Sequence, residues 1–182
     1  MSSDEPRPVR LMNTVRADRS GVRDHLTTAA ELTAWLGAPA DARDLAAFRV
    51  LRRALRDLAA ELTGDTRPVA ADRDPHRAVG HVNDAVGRAD SRPRLALVDG
   101  EPRRRPAGDA SPAARALAGI AAEAVELFTG PDRALLRACH APGCVLYFVR
   151  DHPRREWCSP ACGNRARAAR HYRRVASRRT PG

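Results

Sequence analysis

Apolar residues recur at every third or fourth position in several segments of the first 130 residues, a spacing that predicts amphipathic helices. The longest of these segments precedes Gly64, a residue type that commonly ends helices. Its regularly spaced apolar residues are Leu45, Phe48, Leu51, Leu55, Leu58 and Leu62. We therefore expect one long helix in the first half of the chain.

Three further helices are predicted from residues that favour helix ends. Thr28 and Glu31 form a capping-box pattern, and both Asp74-Pro75 and Ser111-Pro112 place a capping residue before a proline suited to the first helical position. The residues expected to face inward are Val79, Val82 and Val86 in one helix, and Leu117, Ile120, Ala124, Leu127 and Phe128 in the last.

One strand is predicted in the same region, over residues 94–98 and before an Asp99-Gly100 turn. Pro102 and the three arginines after it argue against a returning strand. The fold class is therefore mainly α (α+β). We expect a helical N-terminal domain with a small β element over residues 1–130 and a separate module over residues 131–182.

The cysteines all lie in the last 44 residues, in two close pairs separated by about the length of a hairpin. They are Cys139, Cys144, Cys158 and Cys162. This spacing can place four thiolates around one zinc ion, and four thiolates leave no open position for water or substrate. The pattern therefore predicts a structural zinc site, whose metal would supply folding energy to a module too small for a core of its own.

Two alternatives to this zinc site stay open at the level of sequence. In a secreted domain the four cysteines would instead form two disulfides. His140 and His152 are also of a zinc-ligand type, although four cysteines already complete a tetrahedral set.

The sequence around the cysteines is typical of a treble-clef zinc finger. Residues 145–149 have the composition of a strand, and residues 155–157 that of a second short strand after a turn. Ser159 is suited to cap a helix that begins at Pro160, so Cys162 falls in its first turn. The free N–H groups and positive dipole at that end of a helix favour a thiolate.

The chain has a net charge of +10, and most of that charge lies beside the cysteines. Residues 137–182 carry 11 Arg against two acids, whereas the first 136 residues carry 21 Arg against 20 acids. Lysine is absent, a bias that GC-rich codons also produce, so the distribution of arginine is more informative than its abundance. Such an asymmetry is typical of nucleic-acid binding.

The segment after Cys162 predicts a helix with two different faces. One face carries Ala168, Tyr172, Val175 and Ala176. Almost opposite lies a stripe formed by Arg167, Arg170, Arg174 and Arg178. No acid follows Glu156, which favours phosphate binding over an ordinary solvated helix face. Arg165 projects toward the apolar side, where it would lie against the negative zinc–thiolate centre or cap the hairpin.

The N-terminal residues lack the apolar stretch of a signal peptide, and no run of about 18 apolar residues is long enough for a membrane span. We therefore expect a cytoplasmic, nucleoid-associated protein with reduced cysteines and no membrane partner.

The segment 157–165, with Trp-Cys-Ser followed by Cys-Gly-Asn-Arg, resembles the signature of the CGNR zinc-finger family. Segments 11–14, 21–36, 51–56 and 120–136 are similar to the ABATE domain that accompanies this finger. Such proteins are described as stress-induced transcription regulators of bacteria. The resemblance implies DNA binding by the finger and a sensing or regulatory role for the N-terminal part. Arg167 departs from the family pattern, which usually has lysine there.

The leading hypothesis is a zinc-containing, DNA-binding transcription regulator with one structural Zn²⁺. Its candidate nucleic-acid contacts are Arg154, Arg155, Arg165, Arg167, Arg170, Arg173, Arg174 and Arg178. RNA binding by the same surface, or binding of an acidic protein by the finger, would use the same charges. A homodimer and a small-molecule effector are further candidate partners that the sequence does not identify.

An enzyme is the weakest class, because no Ser/His/Asp set, phosphate loop or open metal site is visible. Asn13, Trp35 and Asn83 could line a small-molecule pocket in the N-terminal domain. A buried, backbone-bonded asparagine and a core tryptophan are the commoner roles of such residues.

Overall fold

The computed structural model describes residues 5–18, 20–90, 93–106 and 108–179. Its α-helices are α1 (Arg7–Met12), α2 (Ala29–Leu36), α3 (Ala42–Thr63), α4 (Pro75–Val86), α5 (Pro112–Thr129) and α6 (Pro160–Arg179). Its strands form antiparallel hairpins: β1 (Val15–Asp18) with β2 (Gly21–Asp24), β3 (Pro93–Val98) with β4 (Glu101–Pro106), and β5 (Leu136–Ala138) with β6 (Tyr147–Val149). Short 3-10 helices span Pro68–Ala70 and Pro131–Leu135. This arrangement confirms the predicted mainly helical α+β fold.

The predicted helix ends are confirmed by their capping contacts. The Thr28 side chain accepts a hydrogen bond from the N–H of Glu31, whose carboxylate accepts one from the N–H of Thr28. Helix α3 ends at Gly64, whose φ of 59° is left-handed and favours glycine. The side chains of Asp74 and Ser111 cap α4 and α5.

The core of the N-terminal domain lies where α3 packs against α1, α4 and α5. Helix α3 contributes the predicted residues Phe48, Leu51 and Leu55, each at most 1% exposed. Helix α5 contributes its five predicted residues, and Trp35 of α2 meets Phe48 edge-on at 6.2 Å between ring centroids. Burial of these apolar side chains supplies the main stabilising free energy of the domain.

The predicted inward face of α4 is wrong in part. Val82 is buried, but Val79 and Val86 are 49% and 37% exposed, and Ala78 and Ala85 are buried instead. Positions 78, 82 and 85 lie on one side of a helix, and two alanines there let α4 approach its neighbours closely. The prediction ranked residues by hydrophobicity, whereas packing favoured small side chains.

Two predictions about the strands are also wrong. Residues 155–157 form no strand, and β6 pairs instead with β5, in the register Leu136 to Val149 and Ala138 to Tyr147. The first cysteine pair therefore lies in the connection of this hairpin.

The returning strand β4 does form, despite Pro102. It pairs with β3 in a two-stranded hairpin, so both are edge strands and tolerate a missing N–H. The β1–β2 hairpin was not predicted.

The β5–β6 hairpin joins the cysteine module to the helical domain. Leu136, Ala138 and Tyr147 belong to the same buried cluster as the core residues of α3 and α5. The module therefore shares a core with the N-terminal domain rather than standing apart from it. Among the described helices, none combines the length and the apolar character needed to cross a membrane.

Candidate zinc centre and basic surface

The first cysteine pair is held by the connection between β5 and β6. The N–H of Cys139 donates to the carbonyl of Leu146 at 2.9 Å, and the N–H of Cys144 donates to that of Ala141 at 2.9 Å. Gly143 has a left-handed φ of 71°, which lets the loop turn back on itself. These contacts direct two sulfur atoms toward one point.

Cys162 lies in the first turn of α6, as predicted, whereas Cys158 lies two residues before that helix and does not end a strand. The Ser159 hydroxyl accepts a hydrogen bond from the N–H of Cys162 at 3.2 Å, which caps the helix and fixes Cys162 in its first turn. A β-carbon at Gly163 would lie 3.1 Å from Cδ1 of Trp157, so the missing side chain lets the indole pack closely on the helix.

The four sulfur atoms have the spacing of a tetrahedral zinc site. Zn–S bonds of about 2.3 Å require sulfur atoms about 3.8 Å apart. The Cys144 and Cys158 sulfurs are 3.8 Å apart, those of Cys158 and Cys162 are 3.4 Å apart, and all four lie within 4.8 Å of one another. The donor set and the geometry therefore fit one structural Zn²⁺, the cofactor of a zinc finger.

Crowding separates the pKa values of these thiols. Hydrogen bonds from Cys144 and Cys158 lower the pKa of Cys139. The hydrogen bond to Cys139 raises the pKa of Cys144, and a similar bond raises that of Cys158. Four thiolates this close repel one another, so their joint ionisation requires a cation such as Zn²⁺.

The other polar residues singled out near the four cysteines in the sequence differ in their contacts. Nη2 of Arg165 lies 3.1 Å from the sulfur of Cys162, so this guanidinium lies against the sulfur cluster and offsets its negative charge. Asn164 accepts a hydrogen bond from Arg167 at 2.5 Å and makes no described bond to the knuckle. His140 and His152 are exposed, and neither belongs to the four-sulfur group.

An arginine of the N-terminal domain reaches into the first cysteine loop. Arg67, between α3 and α4, donates from Nη1 to the carbonyls of Cys139 and Cys144, both at 3.0 Å, and to that of Leu146 at 3.3 Å. The same guanidinium pairs with Asp65 at 2.7 Å and lies over the Tyr147 ring at 5.0 Å from its centroid. This contact joins the zinc knuckle to the helical domain.

Asp65 and Tyr147 share a buried hydrogen bond of 2.7 Å beneath that arginine. Desolvation raises the pKa of Asp65, but hydrogen bonds from Arg67 and Tyr147 outweigh it and lower the pKa to about 2. Burial and the bond to Asp65 raise the pKa of Tyr147 to about 12. At neutral pH the carboxylate is therefore ionised and the phenol keeps its proton.

Asn13 provides a second link between the two parts of the chain. Its amide donates to the carbonyl of Tyr147 at 2.7 Å and accepts from the Tyr147 N–H at 3.0 Å. Trp35 lies at the edge of the core and Asn83 is exposed on α4. The structure does not bring these three residues together around a pocket, and Asn13 has the backbone-bonded role considered above.

We expect Asn13→Ala to lower the free energy of unfolding by about 2 kcal/mol, because it leaves the buried N–H and carbonyl of Tyr147 without partners. Urea unfolding of the zinc-loaded protein measures this loss. Asn83→Ala is the matched control, and its effect should stay within about 0.5 kcal/mol because the side chain is exposed. Equal effects of the two changes would contradict the link.

Arg155 has internal partners that the sequence did not indicate. Its guanidinium bonds to Glu5 at 2.7 Å, to Asp151 at 3.1 Å and to the carbonyl of Val149 at 3.1 Å, and it lies over the Phe148 ring. Its side chain is 21% exposed. These contacts explain why residues 155–157 form no strand, and they favour a positioning role for Arg155 over contact with a ligand.

Helix α6 presents the predicted basic surface. A shallow groove of about 760 Å³ is lined by Arg167, Arg170, Arg173 and Arg174. Arg178 lies in the same helix, but its side chain falls outside the described part. On the other face Tyr172 is 72% exposed, with the His171 ring edge-on at 6.1 Å between centroids, and Val175 is 38% exposed.

A cleft of about 820 Å³ separates the finger from the start of the N-terminal domain. Its basic lining residues are Arg16, Arg154, Arg155, Arg165 and Arg167, and its acidic ones are Glu5, Asp151 and Glu156. Arg167 lines both this cleft and the groove on α6, so the two concave surfaces meet at that residue.

Two family models match consecutive parts of the chain. The ABATE model, described as "Putative stress-induced transcription regulator", matches residues 5–131, and the CGNR zinc-finger model matches residues 135–175. A search of the curated proteins finds no match.

Proposed function

Because the chain belongs to the ABATE family and carries a CGNR zinc finger, we propose that it is a transcription regulator that binds DNA through the finger. One observation carries this proposal: the groove on α6 is lined by four arginines and no acid. Phosphate oxygens are the natural partners of such a surface, since arginine offers them paired N–H donors.

The groove lies on a helix that has no acidic residue of its own. No acid follows Glu156 in the sequence, so α6 itself contains no carboxylate. Helix α6 spans Pro160–Arg179 and is about 30 Å long at 1.5 Å per residue, enough to follow a DNA backbone over several phosphates. The continuation of the groove at Arg167 supports a longer path that reaches Arg154 and Arg165.

In this proposal the arginines contribute affinity and orientation more than sequence choice. Contacts to phosphate carry no sequence information directly. Discrimination between DNA sequences would then require a base contact by one arginine, recognition of DNA shape, or a second copy of the protein. The proposal includes a cytoplasmic location at the nucleoid, where the DNA lies, and a regulatory role for the N-terminal domain.

We expect Arg170→Ala/Arg174→Ala to weaken duplex DNA binding about 10- to 100-fold near 0.1 M salt, because each lost phosphate contact removes about one counterion-release step. The slope of log affinity against log salt should become shallower by about 2. Fluorescence anisotropy across a salt series with the zinc-loaded protein measures both quantities.

The matched control is Arg43→Ala/Arg88→Ala, which removes the same charge from exposed positions of the N-terminal domain. It should change neither affinity nor slope appreciably. Wild-type protein that fails to bind DNA, or an α6 variant that behaves like the control, would contradict the proposal.

RNA is the second candidate because Tyr172 is 72% exposed beside this basic surface. An exposed aromatic ring can stack on an unpaired base. Tighter binding of single-stranded RNA than of duplex DNA at equal salt, reduced by Tyr172→Ala, would favour RNA over DNA.

A further inference from the structure

The four cysteines of the zinc site differ in how far solvent reaches them. Cys139, Cys144 and Cys162 are buried, whereas Cys158 is only half-buried. Cys158 also lines the cleft of about 820 Å³ between the finger and the start of the N-terminal domain. A small reagent that enters this cleft therefore has its freest access to Cys158.

The sulfur of Cys158 has a close neighbour within its own segment of the chain. It lies 3.4 Å from the sulfur of Cys162 and 3.8 Å from that of Cys144. Cys158 and Cys162 are four residues apart, so rotation of their side chains can bring the sulfurs to the length of a disulfide, about 2.05 Å. Cys144 lies on the other side of the site, in the connection between β5 and β6. Cys162 is therefore the favoured disulfide partner of Cys158.

The helical domain holds the first cysteine loop in place without the metal. Arg67 donates to three carbonyls of this loop, and Nη2 of Arg56 donates to the carbonyl of Val145 at 3.1 Å. Arg56 is buried, and its Nη1 donates to the carbonyl of Met12 at 3.0 Å. We therefore expect the loop to keep its shape when the metal is lost.

The segment that carries Cys158 and Cys162 depends more strongly on the metal. Helix α6 packs little against the other helices and strands of the described chain. Arg155 holds the turn before this helix, through bonds to Glu5 at 2.7 Å and to the carbonyl of Cys158 at 3.3 Å, and both side chains line the cleft. Loss of the two ligands from this segment would therefore release α6, while the β5–β6 hairpin stays in the core.

We propose that Cys158 and Cys162 are a redox-sensitive pair, which peroxide oxidises to a disulfide with release of zinc and of α6. Cysteines that bind a metal are thiolates, the form that attacks peroxide. Release of α6 would weaken nucleic-acid binding by its arginines. That consequence rests on the proposed function, whereas the oxidation itself does not.

The reaction takes hydrogen peroxide as the oxidant and the two thiolates as the reductant. The Cys158 thiolate attacks one peroxide oxygen, the O–O bond breaks and hydroxide leaves, which gives a sulfenic acid at Cys158. The Cys162 thiolate then attacks that sulfur, and a second hydroxide leaves as the S–O bond breaks and the S–S bond forms. Each sulfur gives up one electron, and the two electrons reduce the peroxide. Two thiolates then remain at the site, fewer than structural zinc requires.

A graded series of hydrogen peroxide, added to the full-length, reduced, zinc-loaded protein, tests the pair. A colorimetric chelator measures zinc release, and peptide mapping after alkylation identifies the disulfide. The Cys158–Cys162 disulfide should form in proportion to zinc release, while Cys139 and Cys144 are alkylated as free thiols. A thiol reductant and zinc should reverse the change. Zinc that stays bound throughout the series, or a first disulfide that contains Cys139 or Cys144, would overturn the proposal.

A charge variant tests whether the wall of the cleft limits access to Cys158. Glu5→Gln removes the carboxylate that holds Arg155, which loosens the turn before α6, so it should speed zinc release by peroxide severalfold. Glu101→Gln, at an exposed position in β4, is the matched control and should leave the rate unchanged. Equal rates for the two variants would contradict attack through the cleft.

The regulatory consequence is tested separately, by fluorescence anisotropy with duplex DNA before and after oxidation. DNA affinity should fall severalfold when the disulfide forms and should return on reduction with zinc. An affinity that the disulfide leaves unchanged would overturn the switch. Reduced protein that never binds DNA would count against the proposed function alone, because zinc release and peptide mapping are measured without DNA.

Discussion

Replacing Cys162 with serine is expected to unfold the finger and to reduce zinc affinity by several orders of magnitude, the largest effect of any single substitution in the chain. The cluster around the metal site consists of Cys139, Ala141, Cys144, Phe148 and Cys162, so most of its buried members are the ligands themselves. Structural zinc contributes about 10 to 16 kcal/mol of apparent binding free energy in small fingers. The β5–β6 hairpin stays packed in the core of the helical domain, so the loss of zinc falls mainly on the segment with the second cysteine pair and α6.

Zinc content by mass spectrometry and affinity by chelator competition measure the effect of Cys162→Ser. Limited proteolysis should show new cleavage between residues 150 and 179, while the core of α3 and α5 stays protected. His140→Ala and His152→Ala are the controls, and both should retain one zinc ion per chain because these side chains lie outside the sulfur cluster. Full zinc retention by Cys162→Ser would show that the fourth ligand is another residue.

Local sequence signals predicted the helices because helix ends depend on neighbouring residues. The capping box at Thr28, the glycine at 64 and the serine caps at 111 and 159 each act within a few positions of the chain. The cysteine spacing likewise indicated the metal site, since ligands on one loop and one helical turn need little knowledge of the remaining fold.

Contacts between distant segments could not be predicted in the same way. The pairing of β6 with β5, rather than with residues 155–157, depends on the partners of Arg155, one of which is Glu5 at the other end of the chain. The inward face of α4 depends on how closely its alanines approach the neighbouring helices. Neither feature leaves a periodic pattern in the sequence.

Because arginine is abundant throughout the chain, its frequency did not indicate which arginines are buried and paired. The first 136 residues carry a net charge near zero, which by itself suggests an ordinary solvated surface. In the structure, Arg52 pairs with Asp24 and Arg67 with Asp65, and the side chains of both arginines are at most 12% exposed. An arginine's sequence neighbours do not reveal whether it is buried, because its partners are chosen by the fold.

We expect Arg67→Met to lower the free energy of unfolding by about 3 to 5 kcal/mol, since it leaves a buried carboxylate without its cation. Asp65 is fully buried, and Tyr147 would be its remaining side-chain donor. Three carbonyls of the first cysteine loop would lose a donor as well. Thermal and urea unfolding measure the loss of stability, and chelator competition measures the accompanying loss of zinc affinity.

The double variant Asp65→Asn/Arg67→Met separates the stranded charge from lost packing. If the unpaired carboxylate causes most of the loss, the double variant should be more stable than Arg67→Met, because no buried charge is left. It should still bind zinc more weakly than wild type, since the loop carbonyls lack their donor. If the effects of the two substitutions on the free energy of unfolding are additive, the cost of burying the ionised Asp65 carboxylate does not depend on Arg67. Weaker zinc binding by both variants would mean that the helical domain holds the zinc knuckle in shape, so a change in that domain would reach the finger through Arg67.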